Sequence, residues 1–216
     1  YNSEATDDDG SCDYSCHDNG DYSLIFDGED DYIDIANPYG YANNFTISAW
    51  IRKTNNTYPQ DMILSGGCGS LFFGISSTNN VYLGKQCLGG SAISGATNIN
   101  DSNWHFVAAT FNEELVTIYV DGEIDGIGNS GWEIAEDILW IGASYQDNQF
   151  VELFNGSIKE ISFFNETLNQ NEIQNYMSIS PSGDEQNLIG FWKLDSGSGS
   201  ILYDHSGNQN HGTIHG

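Results

Sequence analysis

Basic residues are scarce in this sequence of 216 residues. Five Lys and Arg stand against 31 Asp and Glu, which gives a formal net charge of −26. Proteins that bind nucleic acids neutralise phosphates with clustered Lys and Arg, and five such residues are too few to build that surface. Anionic membranes are disfavoured for the same reason. The surplus of carboxylates has to be solvated, screened by salt or neutralised by cations, as a saline, calcium-containing exterior would allow.

Long apolar segments are absent too. No stretch reaches the roughly 18 apolar residues that suggest a membrane-spanning helix, so membrane insertion is not expected. The sequence opens at Tyr1 in a polar, acidic run, with no initiator Met and no apolar leader. We interpret it as a processed piece of a longer precursor. Disorder is not expected despite the high charge, because 13% of the residues are aromatic.

The four cysteines form no C-x₂-C pair, and no histidine lies at a matching spacing, so a zinc site is not indicated. Three disulfide connectivities are possible. We favour the local one, Cys12 with Cys16 and Cys68 with Cys87, because Cys68 and Cys87 flank a predicted hairpin over residues 71–75 and 81–83. Disulfides indicate an oxidising, extracellular location. Five sequons are compatible with a glycosylated surface: Asn44, Asn55, Asn100, Asn155 and Asn165.

From Tyr22 onward, short apolar stretches alternate with turns rich in Gly, Asn and Asp, which is the pattern of an all-β sandwich or barrel. The clearest strand covers residues 45–51, where apolar side chains alternate and both faces carry bulk. One helix is predicted after Asn169, a suitable N-cap that is followed three residues later by Glu172. Residues 1–20 have no such period, and we interpret them as an acidic, disulfide-tied linker.

Six motifs follow one another between residues 23 and 177. They lie at residues 23–33 (SLIFDGEDDYI), 45–51 (FTISAWI), 104–110 (WHFVAAT), 118–122 (IYVDG), 139–142 (LWIG) and 154–158 (FNGSI). In this order they resemble the laminin-G-like, concanavalin A-type domains, near their pentraxin-like branch. The resemblance implies a two-sheet antiparallel jelly-roll sandwich over residues 21–216, all-β apart from one short C-terminal helix.

Both flanks of the chain resemble something else. Residues 1–12 resemble the tail of a short Cys-containing repeat of large secreted proteins of aquatic microbes. Residues 190–195, 204–208 and 211–214 resemble the segment that normally precedes the first hairpin of these domains, yet here they come last. We therefore expect residues 184–216 to form a C-terminal strand pair. The pair would complete the sandwich of its own chain, in cis, or that of a neighbouring copy, in trans.

Two groups of oxygen-bearing side chains are candidate ligands for Ca²⁺, a hard cation that takes six to eight oxygens in flexible geometry. Asp27, Asp30 and Asp31 crowd a predicted hairpin turn. Asp204 and Asn208 lie in a polar loop near the end of the chain. Either group can also be read as a solvated polar turn.

A third calcium site is implied by the resemblance alone. The pentraxin-like branch binds Ca²⁺ through an Asp early in the sandwich and a Gln-Asp pair in a later loop, and Asp61, Gln146 and Asp147 match those positions. Met62 and Tyr145 stand where that branch has two further ligands. The match therefore implies a single ion rather than a double-calcium site.

Aromatic residues in or near loops are candidates for contact with sugars. Tyr58, Tyr145 and Phe150 are of this kind. Aromatic rings stack on the apolar faces of sugars, and the resembling lectins combine such rings with Asn, Asp and Ca²⁺. A glycan, or another cell-surface or matrix component, is the expected partner.

An enzyme is the rival class. Laminarinase-type hydrolases share this jelly roll and carry three carboxylates on one strand in an E-x-D-x-x-E pattern, because paired carboxylates can act as acid and nucleophile. Glu123 and Asp125 approach that pattern, but Gly128 occupies the third position. No nucleophile elbow is present either. We do not expect catalysis.

The sequence thus predicts an extracellular, calcium-associated glycan-binding or adhesion module of a larger secreted protein. The alternative is a structural subunit of an extracellular filament or surface assembly. In that case residues 184–216 would exchange between copies, and head-to-tail contacts of this kind produce open homopolymers.

Overall fold

The computed structural model describes residues 22–35, 43–53, 60–67, 69–85, 92–131, 133–134, 138–195 and 199–216. These residues form two antiparallel sheets that pack face to face, with one helix. The elements in chain order are β1 (Leu24–Asp27), β2 (Tyr32–Ile35), β3 (Asn44–Lys53), β4 (Asp61–Ser65), β5 (Leu71–Ile75), β6 (Val81–Lys85), β7 (Ile93–Ser94), β8 (His105–Asn112), β9 (Leu115–Val120), β10 (Glu123–Asn129), β11 (Leu139–Ile141), β12 (Ser144–Gln146), β13 (Gln149–Val151), β14 (Asn155–Phe164), α1 (Gln170–Ser178), β15 (Leu188–Trp192), β16 (Ile201–Leu202) and β17 (Gly212–His215).

Each sheet combines strands from distant parts of the chain. Among the described residues, the seven-stranded sheet has the order β1-β14-β3-β8-β9-β10, and β15 also pairs with β14. The eight-stranded sheet has the order β16-β17-β2-β11-β4-β5-β6-β7. Strands β12 and β13 form a separate hairpin. The predicted all-β, two-sheet antiparallel sandwich with one short helix is confirmed.

The hydrophobic core lies between the sheets and follows the alternation of side chains along the strands. In β3, Phe45, Ile47, Ala49 and Ile51 are fully buried and face the eight-stranded sheet. The intervening residues point to the outer face of the seven-stranded sheet, where Trp50 packs in a second cluster. Both faces of β3 are therefore covered, as the bulk on both sides of this strand predicted.

Helix α1 covers part of that outer face. Asn169 caps its first turn, and Glu172 completes the reciprocal capping box, as predicted. Ile173 is buried in the second cluster, and Tyr176 packs beside it at 5.0 Å from the ring of Phe164. Among the described helical segments, none is long and apolar enough to cross a membrane.

The C-terminal segment pairs within its own chain. Strand β15 pairs with the second half of β14, where Ile161 lies opposite Trp192. Strand β1 pairs with the first half, where Leu24 lies opposite Ile158. Strand β17 extends the eight-stranded sheet by pairing with β2. Residues 184–216 thus contribute one strand to the seven-stranded sheet and two, β16 and β17, to the eight-stranded sheet in cis. These pairings use the edges that an exchange between copies would need.

Strands β7, β12, β13 and β17 were not predicted from the sequence. Each has two to four residues, which is too few to show an alternating pattern. A strand this short does not reveal itself by a local pattern, and β17 in addition pairs with β2, which is distant in the sequence. The β12-β13 hairpin is the one that matters most for the candidate site.

A histidine between two carboxylates ties the start of β8 to the turn after β9. The His105 ring is hydrogen-bonded through Nδ1 to Asp121 at 2.9 Å and through Nε2 to Asp101 at 3.0 Å. Burial disfavours the charged ring, but the hydrogen bonds and charges of the two carboxylates outweigh it and raise the pKa of His105. Hydrogen bonds from Asn103 and His105 lower the pKa of Asp101 to about 2.

Replacing His105 with Gln should flatten the dependence of stability on pH near neutrality. Because the folded-state pKa of His105 is raised, its contribution is complete below the unfolded value of about 6.5 and is lost as pH rises through the folded value. The wild-type melting temperature should therefore fall from pH 6 to pH 8, and the variant's should fall less. Calorimetric scans at several pH values measure this change. An equal fall of the melting temperature with pH in the two proteins would contradict this role.

Candidate functional site

Three strands of the eight-stranded sheet place aromatic side chains on its outer face. In β2, Ile33 and Ile35 enter the core, so Tyr32 and Asp34 face outward. The same alternation turns Trp140 of β11 outward. In β17, His215 lies opposite Tyr32 and shares its face.

The β12-β13 hairpin adds two more rings to this face. Tyr145 and Phe150 are a directly opposed pair in the hairpin. The turn between them is made by Asp147 and Asn148, both with positive φ, as a tight two-residue hairpin turn requires. Both rings lean onto the sheet, where Tyr145 lies 5.5 Å from the ring of Trp140.

The five rings form one continuous surface, which we call the aromatic platform: Tyr32, Trp140, Tyr145, Phe150 and His215. Tyr32 is the centre of a stack, with Phe150 at 3.7 Å on one side and His215 at 4.5 Å on the other. Phe150 lies 5.0 Å from Tyr145 and 6.2 Å from Trp140. None of the five is fully buried, so the platform faces solvent.

Asp34 orients two members of the platform. Its Oδ1 accepts a hydrogen bond from the indole Nε1 of Trp140 at 2.8 Å. Its Oδ2 is hydrogen-bonded to Nε2 of His215, also at 2.8 Å. The carboxylate lies between strands β11 and β17 and restricts the rotation of both side chains. The rings are therefore held in position before any ligand binds.

The sequence predicted two members of the platform, Tyr145 and Phe150. Tyr32, Trp140 and His215 were missed, although the period-2 alternation in β2 and β11 indicates which residues point outward. What the sequence does not show is that β2, β11 and β17 are neighbours. Tyr58, the third predicted aromatic, lies outside the described residues.

The predicted acidic turn lies beside the platform. Asp27, Asp30 and Asp31 each bring a carboxylate oxygen within 4.8 Å of the others, which is close enough to share one cation. Asp31 accepts a hydrogen bond from the backbone N–H of Asp27 at 2.8 Å, and Asp27 accepts one from Glu29 at 2.7 Å. Desolvation, together with the nearby charges of Asp27 and Asp30, raises the pKa of Asp31. Asp31 directly precedes Tyr32, so the turn and the platform adjoin.

The site implied by the pentraxin-like resemblance has a different arrangement here. Asp61 is fully buried and forms an ion pair with Lys53. Gln146 donates to Ser144 Oγ at 3.1 Å and to Glu152 Oε2 at 3.3 Å. Asp147 is exposed in the hairpin turn. A cation at Asp61 would have to replace the ammonium of Lys53.

Glu152 was not singled out from the sequence. Burial raises the pKa of its carboxyl, against a hydrogen bond from Ser144. Tyr82 lies nearby in the eight-stranded sheet, and burial, with the charges of Glu152 and Asp61, raises the pKa of its phenol. These groups are packed into the sheet and do not form part of the exposed platform.

The predicted metal group of Asp204 and Asn208 is held in a loop by hydrogen bonds. Asp204 Oδ1 accepts hydrogen bonds from the backbone N–H groups of Phe191 and Ser206, and Oδ2 accepts from Ser206 Oγ and the N–H of Asn210, all at 2.9 Å. Asn208 donates to the carbonyl of Leu188 at 2.8 Å. Asp204 therefore holds the β16-β17 connection against β15.

The carboxylates of the rival hydrolase pattern hold neighbouring segments. Glu123 accepts hydrogen bonds from Gln170 and Gln174 of helix α1, at 3.0 and 3.1 Å. Asp125 accepts from the backbone of Ala96 and from the backbone and hydroxyl of Thr97. The two side chains thus serve different contacts rather than a shared cleft.

The predicted covalent modifications fall in different parts of the chain. Cys12, Cys16, Cys68 and Cys87, together with Asn55, lie outside the described residues. Asn44 is exposed, and Asn100 and Asn165 are half-buried. The Nδ2 atom of Asn155, which would carry a sugar, donates to the carbonyl of Asp27 at 2.6 Å.

A comparison with known protein families identifies the family of this chain. Residues 27–174, more than half of the sequence, match a laminin G-like family model described as the concanavalin A-like lectin/glucanases superfamily. The chain belongs to this family. Because its description covers both lectins and glucanases, membership establishes the fold and leaves the activity to the site.

Solved structures with the same fold include several carbohydrate-binding proteins. A protein of Bacteroides ovatus, provisionally described as carbohydrate-binding, matches with a TM-score of 0.72 and 20% identity over 90% of this chain, which spans 58% of that protein's length. The heptameric SAP-like pentraxin of Limulus polyphemus matches with a TM-score of 0.60 and 16% identity, over 81% of this chain and 92% of that one. The CBM40 of the Ruminococcus gnavus IT-sialidase, bound to α2,3-sialyllactose, matches with a TM-score of 0.59 and 13% identity, over 72% and 96%.

Replacing Asp204 with Ala should destabilise the fold by about 3 kcal/mol, because it leaves buried N–H groups without an acceptor. Urea denaturation measures the change. Glu133→Ala, which removes an exposed carboxylate, is the matched control and should shift the unfolding free energy by less than about 0.5 kcal/mol. An equally small change for Asp204→Ala would show that the loop does not depend on this carboxylate.

Proposed function

We propose that this chain is a glycan-binding module and that the aromatic platform is its binding surface. The observation that carries the proposal is the set of five contacting, solvent-accessible rings, two of which are oriented by Asp34. Sugar rings offer C–H faces that stack on aromatic rings, and binding sites combine such apolar contact with a few placed polar groups. Asp34 and His215 supply those groups at the edge of the platform.

Neutral glycans fit this surface better than acidic ones. The chain carries a net charge of −26, and both Asp34 and the acidic turn adjoin the platform. A sialylated or sulfated sugar would meet like charge, which costs binding energy unless a cation intervenes. The CBM40 that binds sialyllactose supports carbohydrate binding by this fold, whereas the charge of this chain favours a neutral ligand.

We further infer that Asp27, Asp30 and Asp31 bind one Ca²⁺ ion. The three carboxylates are held within reach of one cation. Desolvation, together with the charges of Asp27 and Asp30, raises the pKa of Asp31, and a hard divalent cation would offset the negative charge of the three groups. The ion would also brace the start of β2, from which Tyr32 projects into the stack. Calcium would then support glycan binding by fixing the platform rather than by contacting the sugar.

The setting we propose is extracellular, as part of a larger secreted protein. The acidic surface and the expected disulfides suit such a location. The filament alternative has no supporting contact, because the C-terminal strands pair in cis. We propose no catalytic role, since Glu123 and Asp125 are committed to packing contacts.

Replacing Trp140 with Ala should weaken glycan binding about tenfold. An aromatic contact contributes about 0.5–1.5 kcal/mol, and 1.4 kcal/mol corresponds to a factor of ten. Immobilised neutral, sialylated and sulfated oligosaccharides would first identify the ligand, and titration calorimetry would then give the two dissociation constants.

Trp104→Ala is the matched control, because Trp104 lies with Arg52 and Lys159 around its ring, next to β3 and β14 of the other sheet. It should leave the affinity unchanged. Equal glycan affinity for wild type and Trp140→Ala, or a loss of affinity in Trp104→Ala alone, would show that the platform is not the binding surface.

Calcium should raise the melting temperature, and Asp30→Asn should abolish most of that increase. Ligand at 100 times its dissociation constant stabilises a protein by about 2.7 kcal/mol. Without calcium, the same substitution should stabilise the fold slightly, because it removes one of the clustered charges that help to raise the pKa of Asp31. Thermal scans with calcium and with EDTA measure both effects.

Glu166→Gln removes a carboxylate at a distant site and should retain the full calcium response. If calcium raised the melting temperature equally in Asp30→Asn and wild type, the ion would not be bound in this turn. Such a result would leave the glycan proposal standing, since the platform is tested separately by Trp140→Ala.

A further inference from the structure

A lysine and an aspartate meet between the two sheets at one end of the core. Lys53 is the last residue of β3 and continues the inward-facing series that includes Ile51. Asp61 is the first residue of β4 and lies opposite the buried Ile75 in the eight-stranded sheet. The pair therefore joins one sheet to the other.

Both side chains are removed from solvent. The Lys53 side chain is 2% exposed and that of Asp61 is 1% exposed, and Nζ is in direct contact with Oδ2. The fully buried Phe154 directly precedes Asn155, the backbone neighbour of the carboxylate. Holding an ammonium and a carboxylate in such a place carries a large desolvation cost, which a neutral group would avoid.

The geometry around the carboxylate resembles that of an acyl-transfer site. Asp61 Oδ2 contacts the lysine nitrogen, while Oδ1 accepts a hydrogen bond from the backbone N–H of Asn155 at 3.2 Å. A backbone donor at Oδ1 stabilises the negative charge that develops there when a nucleophile adds to Cγ. The amine lies against the carboxyl group that it would attack, and both side chains are shielded from solvent.

We infer that Lys53 and Asp61 condense in the folded protein to form an intramolecular amide bond. A proton passes from Nζ to Oδ2, which leaves a neutral amine and a neutral acid. The amine lone pair then forms the Nζ–Cγ bond, and the Cγ–Oδ2 bond breaks after Oδ2 takes a second proton from the nitrogen. One water molecule leaves, the amide keeps one N–H, and Oδ1 becomes its carbonyl oxygen beside the Asn155 N–H.

The bond would fasten β3 in one sheet to β4 in the other. It would replace a buried ion pair with a neutral amide and, unlike a disulfide, it would not be sensitive to reduction. This cross-link does not involve the aromatic platform or the acidic turn. Its test is therefore independent of the tests of glycan and calcium binding.

Mass spectrometry of the intact, fully reduced and denatured wild-type protein tests the inference directly. The expected mass is that of the sequence minus one water molecule. After trypsin digestion, cleavage should fail after Lys53, and residues 53–85 should appear as one peptide that lacks the same water. A full-length mass with normal cleavage after Lys53 would overturn the inference, and this measurement needs no variant to fold.

Two substitutions identify the reacting groups. Lys53→Met should restore the full mass, whereas Lys85→Met, a change at a lysine in β6, should still lack one water. In Asp61→Asn the same amide would form with loss of ammonia, so its cross-linked mass should equal that of the cross-linked wild type. A missing water that persists in Lys53→Met would assign the dehydration to another site and contradict the proposed bond.

Discussion

The hydrogen bonding of β14 is the constraint on which the rest of the architecture depends. On one side it pairs with β3, and on the other its first half pairs with β1 and its second half with β15. A register shift against β3 between Lys159 and Ser162, with Glu160 at φ 54°, separates the two halves. One strand thus gathers the beginning and the end of the domain at a single edge and closes the sandwich within one chain.

The two outer faces of the sandwich are covered by different elements. Part of the outer face of the seven-stranded sheet is covered by α1, which buries Ile173 against Phe106 and Phe164. The outer face of the eight-stranded sheet has the small β12-β13 hairpin as its addition, and the aromatic platform forms there. The aromatic platform therefore lies on the sheet that the helix leaves open, and His215 of the C-terminal segment is part of it.

One of the few basic residues is buried, which sharpens the acidic character of the surface. Lys53 is buried with Asp61 between the sheets. The Arg52 guanidinium lies 5.1 Å and the Lys159 ammonium 4.9 Å from the centre of the Trp104 ring. The five Lys and Arg, one of them buried, offset few of the 31 carboxylates. An acidic turn in such a field is a favourable place for calcium and an unfavourable neighbour for anionic ligands.

Local patterns in the sequence were enough to determine the class of fold, most of the longer strands and the helix with its cap. Alternation along β3 and the reciprocal capping of Asn169 and Glu172 act between residues close in the chain, so a local pattern reports them. The platform depends on Tyr32, Trp140, Phe150 and His215 coming together, and only strand pairing over long separations does that. Likewise, the sequence does not indicate that Asp61 is buried beside Lys53, because the packing of one sheet on the other decides that contact.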